Sequence, residues 1–229
     1  MKTIGLIGGM SWESSLNYYR LINQGVKARL GGLHSAKMIM HSLDFAEIEI
    51  LQRQDNWSAA ADILVAAAKG LQAAGADCVM IGANTMHIVA PEIEQAVEIP
   101  LIHIADATAH ALQQQNIDKV GLLGTAYTMQ KSFFKERLKQ QGIDTLVPDL
   151  HEQDMVHQII YQELCQGVIN PSSKQAYLNY IDKLTSQGAQ AIILGCTEIG
   201  LLIDNSDTSA ALFDTTLIHT DAAIDFALT

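Results

Sequence analysis

Apolar residues recur along this chain in two alternating rhythms. Short continuous runs bounded by glycine or polar residues have the length of buried strands. Longer stretches repeat their apolar positions every three or four residues, as helices do. Thr3 to Ile7 predicts a strand and Ser14 to Leu30 a helix. Lys37 to Leu43 predicts a second strand. Trp57 to Ala74 reads as a helix with Ile63, Leu64, Ala67 and Leu71 on one face, stopping at Gly75. Cys78 to Ile81 is a third strand. Pro100 then introduces Leu101 to Ile104, and Ala105 to Gln115 is helical.

The rhythm restarts at Lys119. Val120 to Leu123 predicts a strand, Thr128 to Gln141 a helix ended by Gly142, and Thr145 to Val147 a short strand. Val156, Ile159, Ile160 and Leu164 share one helical face. Asn170-Pro171 is a helix start, a capping side chain followed by proline at the first helical position, and that helix runs to Gly188. Ala191 to Leu194 is the next strand, Ala211 to Phe213 the last, and Thr216 to Leu228 the closing helix. Alternation of this kind predicts an α/β fold of parallel sheets with helices on both faces.

The pattern also repeats internally. TIGLIGGMSW, from Thr3, resembles KVGLLGTAYT, from Lys119. Gly8 stands 75 residues before Ala83, and Gly124 stands 72 before Cys196. Two similar domains follow, residues 1–100 with 210–229 and residues 101–209. Ligands of such sheets bind beyond the carboxyl ends of the strands, where Gly8, Ala83, Gly124 and Cys196 all fall. If the halves face each other, one cleft collects all four.

Composition narrows the function. A formal charge of −11 argues against a nucleic-acid partner, whose phosphates need a basic surface. The first apolar run is too short for a signal peptide, and no apolar stretch is long enough to span a membrane. Cys78, Cys165 and Cys196 form neither a disulfide framework nor a metal spacing, so a reducing cytoplasm is expected.

Among the strand tips, Cys196 stands out. It follows Gly195 and precedes Thr197-Glu198, where a helix is expected to begin; a helix N-terminus favours thiolate. Cys78 and Cys165 read as small buried hydrophobes. Gly8-Gly9-Met10-Ser11 and Gly124-Thr125 can present backbone N–H groups to a carboxylate. GLIGGM is neither a dinucleotide fingerprint nor a phosphate-binding P-loop. Asn84, Thr85, Thr125, Thr128 and Thr197 add neutral donors. His87 and His219 fall on expected helices, each able to bond a group in the cleft or to serve the core.

GLIGGMSWESSLNYY, ANTMH, GLLGTAYTM and GCTEIGLLI, in that order and together spanning the chain, resemble the aspartate/glutamate racemase family, in its branch with a GGMSWES first loop. The resemblance implies two similar α/β domains with the active site in the cleft between them, no pyridoxal phosphate or other cofactor, no metal, an amino acid as substrate, and a homodimer. Two cysteines flank the substrate α-carbon in that family; one removes the α-proton and the other returns a proton to the opposite face. Cys196 matches the second-half cysteine, which serves the L-enantiomer. Asn84, Thr85 and Thr197 match residues that hold the carboxylate and amino groups. Met10 and Ser11 match the first loop, and Gln52 and Thr125 further pocket positions; Thr128 and Glu198 are grouped with these as substrate-binding.

Two departures stand beside the match. Ala83 occupies the position of the first cysteine and can carry no proton, which implies a racemase biased toward the L-form. Near Met155 the family often has a lysine for a substrate carboxylate. Here the segment reads EQDMVHQII, leaving His157 or Arg53 as substitutes. The alternatives are a single-cysteine decarboxylase of the arylmalonate type and an amino-acid-binding protein without turnover.

Overall fold

The computed structural model describes all 229 residues. They form two compact units, Met1–Ile104 with His219–Thr229, and Ala105–Ile218.

The first unit contains β1 (Ile4–Gly8), α1 (Trp12–Leu30), β2 (Met38–Ser42), α2 (Phe45–Arg53), α3 (Trp57–Ala73), β3 (Cys78–Ile81), a 3-10 turn over Thr85–Val89 and α4 (Ala90–Ala96). Its sheet is parallel, in the order β2-β1-β3. Both faces are covered. Ile7, Val79 and Ile81 pack with Leu64, Ala67 and Leu71 of α3, while Ile4, Leu6 and Met80 pack with Tyr18 and Ile22 of α1 and with Ala223 and Ile224 near the C-terminus. A strand buried on both faces has no use for alternation, which is why IGLIG and CVMI read as unbroken apolar runs.

The second unit begins with α5 (Ile104–Gln113) and continues through β4 (Lys119–Gly124), α6 (Ala126–Gln130), α7 (Ser132–Gln140), β5 (Asp144–Leu146), α8 (Leu150–Gln162), a 3-10 turn over Leu164–Gln166, α9 (Pro171–Ser186), β6 (Ala191–Gly195), a 3-10 turn over Ile199–Leu201 and β7 (Ala211–Asp214). The parallel order is β5-β4-β6-β7, the first unit's order with one strand added. In α10 (Thr215–Leu228) the residues from His219 onward belong to the first unit.

The α/β class and the paired parallel sheets agree with the pattern in the sequence. Several local expectations change. The run after Pro100 makes a single parallel bridge, Leu101 to Val79, before α5 takes over at Ile104. The helix expected over Thr128–Gln141 is two helices, because Lys131 is extended (ψ 156) and breaks the ladder; Thr125 caps the first of them. α2 is an element the sequence pattern does not predict: Asp44 caps it, and Ile48 and Gln52 turn inward at a spacing of four. The second unit runs on to Ile218, not 209, because Ala211–Asp214 pairs with β6. No helix is long and apolar enough to cross a membrane.

Three histidines meet in the core of the first unit. His87, His103 and His219 are all buried, and the ring of His87 lies 4.6 Å from that of His103 and 5.6 Å from that of His219. Burial, then the neighbouring His103 and His219, hold His87 well below its ordinary pKa; burial lowers His219 to about 4. Both rings are therefore neutral in the fold, whereas the unfolded chain binds their protons near pH 6.5. They cost no stability above that pH. As pH falls below it, stability is lost by roughly 1.4 kcal/mol per pH unit for each ring, for His219 down to about pH 4. Urea unfolding at pH 7, 6 and 5 is expected to show a falling midpoint; a constant one would contradict neutral burial.

Candidate functional site

Each unit carries a cluster of polar side chains at the carboxyl end of its sheet. In the first unit β1 and β3 are neighbours in register, so the loops that follow them emerge side by side. Gly9 takes φ +87, and a Cβ there would lie 2.1 Å from the Leu43 carbonyl oxygen, so only glycine fits. Its N–H donates to Ser15 Oγ at 2.7 Å. Ser11, joined to Met10 by a cis peptide bond, caps α1 by accepting from the Ser14 N–H at 3.2 Å. Ser14 Oγ in turn donates to the Gly82 carbonyl at 3.0 Å, tying the first loop to the Ala83-Asn84-Thr85 tip. Met10, Ser11, Ala83, Asn84 and Thr85 are all buried, none more than 8% exposed. Gln52 is buried too, and its amide donates to Met86 Sδ at 3.1 Å.

In the second unit Gly124 pairs with Gly195, which puts Thr125 and Cys196 at adjacent strand ends. A Cβ on Gly124 would sit 2.8 Å from the Gly195 oxygen, so the close approach needs glycine. Thr125 Oγ1 caps α6 by accepting from the Thr128 N–H at 3.2 Å. Thr128 is fully buried, with its hydroxyl 3.2 Å from that of Thr125, and serves as the support behind the tips.

Cys196 does not stand at the start of an α-helix; only a 3-10 turn over Ile199–Leu201 follows. A turn that short has no appreciable dipole to favour thiolate, so the expected activation is absent. Instead Glu198 folds back. Cys196 Sγ donates to Glu198 Oε2 at 3.0 Å, and the Thr197 hydroxyl donates to the same oxygen at 2.6 Å. Burial, then the negative charge of Glu198, push the Cys196 thiol well above its ordinary pKa. The resting group is a thiol hydrogen-bonded to a carboxylate. Cys196 is 8% exposed, close to the tip rather than sealed in the sheet.

The suggested replacements for the missing lysine are engaged elsewhere. His157 Nδ1 accepts from the Ala126 N–H at 3.2 Å, and burial lowers its pKa, so the ring is neutral and braces the Thr125 turn. Arg53 pairs with Glu49 at 2.8 Å on an exposed face. His87 and His219 make their bonds inside the first unit's core. The role of Glu198 as partner of the thiol was legible only as a carboxylate two residues from a cysteine, a spacing that says nothing until the chain turns. A recess of about 510 Å³ on the second unit is lined by Ile203, Phe213, Asp214 and Leu217 among others, but Cys196 is not in its wall.

The model of the Asp/Glu/Hydantoin racemase family matches residues 7–223. The chain belongs to that family. A crystal structure of a Yersinia pestis protein of provisional Asp/Glu racemase assignment superposes with a TM-score of 0.94 at 55% identity over 100% of both chains. An aspartate racemase homologue from Pyrococcus horikoshii gives 0.88 at 34% identity, again over 100% of both. The broad specificity amino-acid racemase RacX of Bacillus subtilis is 28% identical over 63% of this chain. The chain spans 62% of the length of RacX and about half that of the glutamate racemases it matches.

The state of the thiols is directly measurable. Cys78 is buried, with its pKa raised to about 11, whereas Cys165 is partly exposed. A disulfide reagent at pH 7 is expected to modify Cys165 alone at a high rate. In Cys165→Ala, modification of Cys196 is expected to be slow and to accelerate about tenfold per pH unit up to pH 9. Rapid, pH-independent reaction of Cys196 would mean a resting thiolate.

Proposed function

We propose that the chain is a cofactor-independent racemase of aspartate, glutamate or a related amino acid, with Cys196 as the base that removes the α-proton. The observation that carries this is the contact of 3.0 Å between the Cys196 thiol and Glu198, which gives the thiol proton somewhere to go. Glu198 takes that proton as the substrate ammonium enters and offsets the negative charge. The thiolate then removes the proton from Cα, and the electron pair of the C–H bond delocalises into the carboxylate. Donors around the carboxylate, with Asn84, Thr85, Thr125 and Thr197 among the candidates, stabilise that charge. Met10, Ser11 and Gln52 shape the remainder of the pocket.

Return of the proton from the Cys196 thiol regenerates the starting enantiomer. Inversion needs a donor on the other face, and the methyl group of Ala83 is none; water or a hydroxyl of Ser11 or Thr85 must serve. The reading is therefore of an enzyme that exchanges the α-proton of the L-form faster than it inverts it. It takes an amino acid as its partner, a homodimer as its assembly and a reducing cytoplasm, which keeps the thiols free, as its setting.

The resting state of Cys196 favours one alternative. A protonated thiol facing a single side of a carbanion suits decarboxylation of an arylmalonate, which needs one proton donor and no second base. Release of carbon dioxide with a chiral product, without exchange on any amino acid, would select it.

The deciding experiment incubates L- and D-aspartate and glutamate separately with the protein in deuterated water, following loss of the α-proton and appearance of the opposite enantiomer. Exchange of the L-form is expected to outrun inversion. Cys196→Ala is expected to abolish exchange, and Glu198→Gln to slow it by roughly 10²- to 10⁴-fold. Ala83→Cys is expected to raise inversion relative to exchange. Exchange that survives Cys196→Ala ends the assignment.

A further inference from the structure

We propose that His87 is a positioning residue, holding the Ala83-Asn84-Thr85 tip in the shape that grips substrate. The inference rests on the reading that Asn84 and Thr85 bind the amino acid. It starts from the backbone. After β3 the chain turns into 3-10 rather than α geometry, so the His87 N–H bonds to the Asn84 carbonyl at 3.1 Å. In an α-helix that N–H would bond to the Ala83 carbonyl. The imidazole takes its place, with His87 Nδ1 2.8 Å from the Ala83 oxygen. A carbonyl cannot donate, so Nδ1 carries the proton. Nε2 is then an acceptor, and it receives the Ile104 N–H at 3.3 Å. One neutral ring thus spans the tip and the segment Pro100–Ile104.

The ring has little freedom to move. His87 is 1% exposed and packs edge-on to His103 and His219. His219 is itself fixed, donating from Nε2 to the Ile102 carbonyl at 2.7 Å and accepting from the Tyr18 hydroxyl at 2.9 Å on Nδ1. Tyr18 lies on α1, Ile102 beside the bridge to β3, and His219 on α10. Three separate segments of the first unit therefore fix the plane of one imidazole, and that imidazole fixes the Ala83 carbonyl. Any histidine buried this deeply must pair both ring nitrogens; what matters is where these two bonds end. Here the bonds end on the peptide that precedes Asn84, whose orientation decides where the Asn84 and Thr85 polar groups point.

The test compares His87→Leu with His87→Asn in the full chain. The Asn amide nitrogen reproduces the place of Nδ1 and can still donate to Ala83, whereas Leu cannot. Amide hydrogen exchange needs no activity. In His87→Leu, peptides covering 82–90 are expected to exchange about tenfold faster than in His87→Asn, with the β1 peptide unchanged. In α-proton exchange, His87→Leu is expected to raise KM about tenfold with a smaller change in kcat, and His87→Asn to restore most of the loss. Should His87→Leu not fold, His87→Gln, whose longer amide reaches toward Ile104 rather than Ala83, replaces it. Unaltered exchange at 82–90 in the variant lacking the donor, or a uniform speeding of the whole first unit, overturns the proposal. Absence of turnover in the unmutated protein would instead overturn the racemase reading and leave the hydrogen-exchange result standing.

Discussion

The hydrogen bond from the Cys196 thiol to Glu198 is the contact on which the proposed chemistry rests. Taken alone, a buried sulfur at the end of an apolar strand is a poor base, because desolvation penalises its anion. A carboxylate at 3.0 Å raises that penalty further in the resting state, yet it is also an acceptor in place for the thiol proton that the proposed reaction must release. In the proposed reaction the pair would act as a proton store: an arriving substrate ammonium would favour the thiolate, and its departure would restore the thiol. This differs from a cysteine activated permanently by a helix dipole, which would be nucleophilic and open to oxidation at all times.

The arrangement depends on glycine at the strand ends. Gly124 and Gly195 approach so closely that a methyl group on either would collide with main chain or packed side chains, and the tips beyond them are brought together by that approach. The first unit uses the same device differently. Gly9 turns with positive φ against Leu43, and Ser15 occupies the space next to Gly8. In both units the polar residues stand at the carboxyl edge because parallel strands in register end together.

Much of this was visible in the sequence. Unbroken apolar runs marked β1, β3, β4 and β6, and glycine steps followed by threonine or asparagine marked their tips. The doubling of TIGLIGG and KVGLLGT corresponds to two sheets with the same central order. What was hidden was whatever depended on how the chain turns next. The residues after β3 and β6 have helical composition, but each strand is followed by a 3-10 turn; in the first, the reach of His87 back to Ala83 follows from that difference, and Glu198 meets Cys196 just before the second. α2 was obscured because Glu47-Ile48-Glu49-Ile50 alternates with the period of a strand. The histidine cluster could not be read locally, since Tyr18 and His219 are 201 residues apart.

The bond from Ser14 Oγ to the Gly82 carbonyl has a mechanical consequence. It ties the first turn of α1, where the Ser14 N–H also bonds to Ser11, to the loop after β3. If these segments hold the amino acid as proposed, part of the entropy cost of ordering them is met before it binds.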